Sequence, residues 1–315
     1  METVLRWAKL ACLAAALLAL PPSSRAEDSL QRRLEAMAKA HAGGVALYAK
    51  HLKTGQVVAL DADRPVPTAS VIKLPILLEA FAQVKAGRRS LQDRLVLNEE
   101  NKVPGSGVLT LLHTGLEVTL EDALVLMIVL SDNTATNLVI DRVGIPAVNE
   151  RMAGMGLKNT YLYKKVYRPA QGQVPEDQKQ FGLGKTTARE MAAVMESVAR
   201  CELGDAALCR RMIEMLQKQQ YRNMIPRYLE TVDTSEEASA VADKVGQLDD
   251  VRNDVALVHT TTGPVVISVF TYGNQDRSWT PDNQAEMLVA RMAEAIVKAW
   301  APKGVGTEKP TSENK

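Results

Sequence analysis

Short segments rich in apolar and β-branched residues lie near both ends of the chain. Residues 45–49 and 56–60 flank the turn-forming sequence Lys-Thr-Gly, which predicts a β-hairpin. Further strands are predicted after Ala240, and they cover residues 240–244, 254–259 and 265–272. Gly263-Pro264 is expected to form the turn between the last two of these strands. Because strands occur at both ends, we expect one antiparallel sheet to which both ends of the chain contribute.

From about Ser70 to Arg200 the apolar residues recur mostly at helical spacing. Thr119-Leu-Glu-Asp122 is typical of a capping box that opens a helix. Residues 133–143 predict a second helix, and residues 281–300 predict a last amphipathic one. The pattern therefore predicts an α/β (α+β) fold, in which residues 68–214 are a helical insertion between sheet-forming parts at 27–67 and 215–300.

The first 26 residues have the organisation of a secretory signal peptide. Arg6 and Lys9 precede an apolar run over 10–20, and Ser24-Arg-Ala26 offers small residues for cleavage after Ala26. The run is shorter than the roughly 20 residues that a membrane span needs. We therefore expect no stable membrane anchor and a periplasmic or secreted protein. Residues 301–315 predict a disordered tail.

Composition narrows the possible partners. A chain of 315 residues with 46% hydrophobic residues can form a sizeable core, and its net charge is only +1. The lysines and arginines are scattered, which argues against a nucleic-acid partner. The four histidines are far apart, and neither a nucleotide-binding glycine loop nor a metal-ligand motif occurs. We expect a monomer that needs neither metal nor cofactor.

Two cysteines remain once the signal peptide is removed. Cys201 and Cys209 are close in sequence, and Gly204-Asp205 between them can form a turn. In an oxidising compartment such a pair can form a disulfide. Export therefore favours a Cys201–Cys209 bridge, the alternative being two free thiols at helix ends.

One lysine lies in an otherwise apolar stretch. Lys73 is three residues after Ser70 in the sequence TASVIKLPI, which begins at Thr68. Burial of an ammonium is costly unless the group is paired or its pKa falls. On a helix the two side chains share a face, so a neutral Lys73 amine could accept the proton of Ser70. The motif alone is weak, because Ser-x-x-Lys recurs at Ser312–Lys315.

Two further motifs strengthen the interpretation of Ser70 and Lys73 as a catalytic pair. Ser131-Asp-Asn133 and Lys244-Val-Gly246 follow Ser-x-x-Lys in the order that is typical of class A β-lactamases and penicillin-binding proteins. The chain resembles this superfamily, and class A in particular, over roughly residues 30–300. Further segments that resemble class A sequence are Pro104-Gly-Ser-Gly-Val-Leu109, Gly156-Leu-Lys-Asn-Thr160 and Thr186-Thr-Ala-Arg-Glu-Met191.

The resemblance implies a role for each motif residue. Ser70 would be the acylated nucleophile and Lys73 its base, while Ser131 would relay a proton to the leaving nitrogen. Asn133 would bind the side-chain amide of the substrate. Asp132 would be structural and would tie the two halves of the protein together.

The third motif would complete the substrate site. Lys244 would keep the cleft electropositive, and Gly246 and Gln247 would belong to the substrate-binding strand. The backbone N–H groups of Ser70 and Gln247 would form the oxyanion hole. Arg252 would face the substrate carboxylate, with Lys244 as its electrostatic partner.

The sequence departs from the family in two places. Val245 stands where the family has a Thr or Ser hydroxyl that touches the substrate carboxylate. The family also carries a glutamate that positions the deacylating water, and counting forward from Thr160 puts Val166 at its place. Counting back from Thr186 puts Gln171 there. Glu176 is the only glutamate between residues 164 and 177, and its spacing fits neither count.

These residues predict a serine hydrolase that forms an acyl-enzyme. The expected substrates are β-lactams, or the D-Ala-D-Ala-like amides and esters that β-lactams mimic. The missing glutamate favours slow deacylation and a peptidase- or esterase-like relative over a fast lactamase. The alternative is a catalytically impaired protein of the same fold that binds β-lactam or peptidoglycan.

Overall fold

The computed structural model describes residues 22–229 and 239–306, with side chains from residue 28. The helices are α1 (Pro22–Ala40), α2 (Lys73–Lys85), α3 (Leu120–Val129), α4 (Asn133–Val143), α5 (Ile145–Gly154), α6 (Gln178–Phe181), α7 (Ala188–Ala199), α8 (Ala206–Gln217) and α9 (Gln284–Trp300). The strands are β1 (Gly44–His51), β2 (Val57–Leu60), β3 (Val66–Pro67), β4 (Arg94–Val96), β5 (Glu117–Thr119), β6 (Tyr161–Leu162), β7 (Gly184–Thr186), β8 (Val241–Leu248), β9 (Val251–Thr260) and β10 (Gly263–Tyr272). Except for residues 22–26, the predicted signal peptide lies outside the described residues.

Both ends of the chain form one five-stranded antiparallel sheet, in the order β2-β1-β10-β9-β8. The predicted hairpin is confirmed as β1 and β2. Gly263-Pro264 is not the turn before the last strand, because Gly263 already pairs with Thr260 and the reversal occurs at residues 261–262. The α/β (α+β) prediction, a sheet from both chain ends with an inserted helical part, is confirmed.

Each face of the sheet is covered by a different set of helices. Along β10, Ile267 and Val269 pack into the cluster that contains side chains of α1 and α9. Val266 and Phe270 point the other way, into the core of the helical part. This alternation follows from the period of two in a strand, and it gives the protein a core on each side of the sheet.

The helical part begins with α2, which is buried along most of its length. The capping box at Thr119 and Asp122 is confirmed, and α4 covers the predicted residues 133–143. The last helix begins later than predicted, because the Asn283 side chain accepts hydrogen bonds from the N–H groups of Ala285 and Glu286 and thereby caps it. No helix among the described residues is apolar over a length that would cross a membrane.

The chain continues in ordered contact after α9. Val305 forms a bridge with Thr260, and the N–H of Gly306 donates to the carbonyl of His259. Ala301 is fully buried. The prediction of disorder from residue 301 is therefore wrong for residues 301–306, since they pair with the end of β9 that extends beyond β8. The rest of the predicted tail lies outside the described residues.

A disulfide joins Cys201 to Cys209, with the Cα atoms 5.5 Å apart. It links the end of α7 to the first turns of α8. We expect free-thiol titration of the mature, denatured, unreduced chain to find no thiol. Reduction should lower the free energy of unfolding by about 2–3 kcal/mol, because a short loop is released in the unfolded state. Urea unfolding with and without reductant measures this, and two titratable thiols would refute the bridge.

Candidate active site

Ser70 lies in the 3₁₀ turn Ala69–Ile72, directly before α2. Ala69 has a φ of +45°, a left-handed conformation that costs energy for a residue with a side chain. The N–H of Thr68 donates to a carbonyl on β7, and the Asn253 side chain donates to the carbonyl of Pro67 at 2.9 Å. Two strands thus hold the strained turn that presents Ser70.

Gly246 allows β8 to pass close to this turn. A Cβ added at Gly246 would lie 2.7 Å from the carbonyl oxygen of Thr68 and 3.0 Å from the backbone nitrogen of Ser70. Any larger residue would force the strand and the turn apart. The close approach brings the end of β8 against the N–H of Ser70, as the predicted oxyanion hole requires.

Lys73 is fully buried at the start of α2. Its Nζ donates to the carbonyl oxygen of Ser131 at 2.7 Å, to Ser131 Oγ at 3.1 Å and to Asn133 Oδ1 at 3.1 Å. All of its described hydrogen bonds therefore go to the second motif. A transfer of the Ser70 proton to Lys73 would require Lys73 to give up one of these three hydrogen bonds.

The hydroxyl of Ser131 lies between two lysines. Lys244 is also fully buried, and its Nζ donates to Ser131 Oγ at 3.1 Å and to the carbonyl of Val245 at 2.9 Å. Burial, and then the charge of Lys244, hold the pKa of Lys73 well below its ordinary value. Burial lowers the pKa of Lys244 to about 8. Both lysines beside Ser131 therefore release a proton more readily than an exposed lysine does.

Ser131 is fixed by its neighbour Asp132. Ser131 itself has a left-handed φ of +51°. The Asp132 carboxylate accepts hydrogen bonds from the N–H groups of Val108 and Leu109, at 2.7 and 2.8 Å, and from Ala135 N–H at 2.8 Å. These contacts join two segments of the helical part. The described hydrogen bonds of its carboxylate stay within the helical part and do not tie the two halves of the protein together, as the prediction had it.

Arg252 does not face the cleft. Its guanidinium is fully buried, with Nε 3.2 Å from Glu286 Oε1, and another nitrogen donates to the carbonyl of Ser278 at 2.7 Å. A third nitrogen donates to carbonyls at the turn between β8 and β9. The prediction that Arg252 faces the substrate carboxylate is wrong, because its donors are occupied inside the protein.

A cavity of about 660 Å³ opens above this cluster. It is lined by Ala69, Ser70, Gly105, Ser106, Ser131, Asn133, Lys164, Val166, Tyr167, Phe181, Gly182, Leu183, Tyr221, Val245, Gln247, Leu248 and Trp279. The structure thus brings Ser70, Ser131, Asn133 and Gln247 to one cavity, with Lys73 and Lys244 buried beneath it. Among the described residues no group of His, Cys, Asp or Glu side chains could hold a metal ion.

The structure distinguishes the two candidates for the glutamate position. Val166 lines the cavity beside Ser70, and Asn137 holds it through hydrogen bonds to its N–H (2.8 Å) and carbonyl (3.0 Å). Gln171 lines a second cavity instead. Glu176 is exposed and lines neither. The forward count, which gave Val166, therefore matches the residue that lines the same cavity as Ser70.

Several cavity residues carry no motif and were missed. Trp279 and Tyr167 are exposed by 61% and 63%, and both line the cavity. Lys164 lines it as well. The one signal for Trp279 is an aromatic residue within a polar, turn-rich segment. Glu286 has no signal, because its position in an amphipathic helix resembles that of any surface glutamate.

The fold is that of the serine β-lactamase and penicillin-binding protein superfamily. The beta-lactamase enzyme family model matches residues 29–300, and the chain belongs to that family. A β-lactamase from Rhodobacter capsulatus is 25% identical over 231 residues, 73% of this chain and 75% of that protein.

Solved structures share the fold. The β-lactamase of Sphaerobacter thermophilus is 34% identical, with a TM-score of 0.74 over 86% of this chain and 97% of that one. PBP-A has a TM-score of 0.73 at 24% identity over 86% of this chain and 95% of that one, a likeness that concerns the fold alone.

Lys73→Ala is expected to slow acylation by penicillin about 10²-fold, because a positioned proton acceptor is lost. The rate of adduct formation, measured by quenched-flow mixing and intact-mass spectrometry, tests this. Lys165→Ala is the control, since that lysine pairs with Asp141 away from the nucleophile. A loss smaller than tenfold would mean that Lys73 has only a structural role.

Proposed function

We propose that this protein is an exported serine hydrolase that is acylated on Ser70. Its substrates are β-lactams, or the D-Ala-D-Ala-like amides and esters that β-lactams mimic, and its acyl-enzyme is hydrolysed slowly. The observation that carries the proposal is the buried arrangement in which Lys73 and Lys244 both bind Ser131 Oγ beneath the cavity that Ser70 lines. The β-lactamase relatives support the same hydrolase class.

Acylation forms a bond from Ser70 Oγ to the carbonyl carbon, and the proton of Ser70 is moved to the leaving nitrogen. Ser70 Oγ attacks the carbonyl carbon while its proton passes to the neutral amine of Lys73. The N–H groups of Ser70 and Gln247 stabilise the oxyanion. As the C–N bond breaks, the Ser131 hydroxyl gives its proton to the leaving nitrogen and takes the Ser70 proton from Lys73, which returns to the neutral amine. The acyl group remains on Ser70 Oγ until water hydrolyses the ester.

Asn133 contributes to binding in this proposal. It lines the cavity, and its amide is oriented by the carbonyl of Pro104 (3.1 Å) and by Lys73 (3.1 Å). An amide fixed on both sides can receive the side-chain amide of a substrate without losing conformational freedom.

Export is supported by two independent features. The N-terminal sequence has the charged, apolar and small-residue regions of a signal peptide. The Cys201–Cys209 disulfide suits an oxidising compartment. We propose that the mature protein begins after Ala26 and acts in the periplasm or outside the cell.

Intact-mass spectrometry of the purified protein with a fluorescent penicillin tests the proposal. We expect a stable adduct of one acyl group per chain. Turnover without an adduct would identify a fast lactamase. Neither adduct nor turnover, combined with measurable binding, would identify the alternative, a catalytically impaired binding protein.

Val245→Thr is expected to raise the rate of acylation by penicillin about tenfold. The threonine would supply a hydroxyl beside Lys244, and a hydrogen bond to a charged carboxylate contributes about 1.5–3 kcal/mol. Stopped-flow measurement of adduct formation tests this. Val245→Ala, which removes methyl groups without adding a donor, should give no gain. An unchanged rate in Val245→Thr would contradict this account of the missing hydroxyl.

A further inference from the structure

The wall of the cavity that follows Lys244 carries no charge. We call it the β8 wall, and it consists of Val245, Gln247 and Leu248 together with Trp279. In the proposed mechanism Ser131 gives its proton to the leaving group. Ser131 Oγ is bonded to Lys244, which directly precedes Val245 on β8, and this places the leaving group beside the β8 wall. The chemistry of the β8 wall therefore selects the leaving group.

The polar groups behind the wall are paired with one another. Gln247 Nε2 donates to Glu286 Oε1 at 2.7 Å, and Arg252 Nε lies 3.2 Å from the same oxygen. Both charged side chains are buried, at 0% and 3% exposure. The carboxylate of Glu286 thus neutralises Arg252 and also engages the Gln247 amide that could otherwise bind a ligand.

Trp279 separates Arg252 from the cleft. Its ring centroid lies 4.5 Å from the guanidinium carbon of Arg252, and the same residue lines the cavity. It is 61% exposed, although a large aromatic side chain usually gains by burial. Trp279 therefore presents an aromatic surface to the cavity at the place where Arg252 would otherwise be accessible.

A carboxylate beside the β8 wall would lose water and meet neither a charged side chain nor a hydroxyl group on that wall, which is unfavourable. An uncharged aromatic or aliphatic group would bury apolar surface against Leu248 and Trp279, which are both exposed in the cavity, and this burial is favourable. Among the described residues that line the cavity only Lys164 carries a formal charge, and it belongs to the segment after β6 rather than to the β8 wall.

We propose that the β8 wall favours acyl donors whose leaving group is uncharged and apolar, such as a neutral aryl or alkyl alcohol or amine, over donors whose leaving group carries a carboxylate, so that penicillin and D-Ala-D-Ala-like compounds acylate Ser70 more slowly than such neutral donors do. The inference rests on the proposed function, because it requires acylation of Ser70. With an aryl ester, the Ser70 Oγ–carbon bond forms and the carbon–oxygen bond to the phenol breaks. The phenol leaves with the proton that Ser131 relays, and water then cleaves the acyl-enzyme.

Two isosteric esters test the selection. Both carry the same N-acylglycine, one esterified with 3-carbamoylphenol and the other with 3-carboxyphenol, so that they differ in charge but hardly in size. We expect kcat/KM for phenol release to be at least tenfold higher with the carbamoyl ester. Equal values, or a preference for the carboxylate, would overturn the inference. Ser70→Ala gives the background rate for each ester.

Variants locate the selection on the β8 wall. Trp279→Ala should lower kcat/KM for the carbamoyl ester about tenfold and raise kcat/KM for the carboxy ester, because the change uncovers Arg252. Glu286→Gln should raise kcat/KM for the carboxy ester, because Arg252 loses its neutralising partner. Glu286 is buried, and its replacement could disturb folding, so Val245→Thr serves as a second variant. It should raise kcat/KM about tenfold for the carboxy ester and leave kcat/KM for the carbamoyl ester unchanged. Equal effects on both esters in all three variants would overturn the inference.

The two proposals fail in different ways. If penicillin and both esters leave Ser70 unmodified, the proposed function fails and the inference fails with it. If penicillin forms the adduct but the carboxy ester is preferred, only the inference fails.

Discussion

Replacing Ser70 with alanine is expected to abolish covalent labelling by penicillin, because the acyl bond is formed by the Oγ atom that this change removes. Intact-mass spectrometry should find the unmodified mass only, at any penicillin concentration and time. The turn itself should survive, since its hydrogen bonds involve Thr68, Pro67 and the side chain of Asn253 rather than the Ser70 hydroxyl.

Ser106→Ala is the matched control. Ser106 also lines the cavity, but the contact that ties it to the site is made by its backbone carbonyl, which accepts from Asn133 N–H at 3.0 Å. Labelling of this variant should equal that of the wild type. Labelling that persists in Ser70→Ala would show that another nucleophile is acylated, and the assignment of Ser70 would end.

The sequence predicted the elements whose pattern is local. The period of two in β10 and the capping box at Thr119 depend on near neighbours, so both could be found without a structure. The sequence predicted that both ends of the chain contribute to one sheet, but it did not predict the order of the strands. The pairing of residues 301–306 with β9 could not be predicted, because it depends on the length by which β9 extends beyond β8.

The three motifs predicted which side chains gather at the cavity, but not the hydrogen bonds between them. Ser70, Lys73, Ser131 and Lys244 follow from Ser-x-x-Lys and its companions. That Lys73 bonds to Ser131 and Asn133, with no described bond to Ser70, depends on the three-dimensional approach of α2 to the α3–α4 turn. Short motifs specify which groups meet, while the packing of helices decides which pairs are bonded at rest.

Arg252 shows the limit of an assignment by resemblance. Its position on β9 agreed with a role at the substrate carboxylate, but the partner that decides its role is Glu286, 34 residues later on α9. A buried cation binds the nearest desolvated carboxylate, because leaving either charge unpaired is costly. No pattern within either segment reveals that the two will meet.

The absence of a carboxylate at Val166 has a measurable consequence for turnover. No side chain at that position can take a proton from water, so general-base assistance worth about 10²–10⁴-fold is missing. We expect penicillin to give burst kinetics, with about one equivalent of product followed by a slow steady state. Stopped-flow absorbance of β-lactam opening measures both phases. Glu176→Gln should leave the steady state unchanged, because Glu176 is exposed and does not line the cavity.

Val166→Glu should raise the steady-state rate by about 10²-fold or more, up to the 10⁴-fold that a positioned base supplies. The backbone of residue 166 is held by Asn137 through both its N–H and its carbonyl, so the new side chain would start from the same place beside Ser70. Val166→Gln is the matched control, since it has the same size without a base and should remain slow. If the wild type turns over penicillin rapidly without a burst, and Glu176→Gln stops it, the loop over residues 164–177 must fold back in the complex to supply its own base. The protein would then be a true β-lactamase.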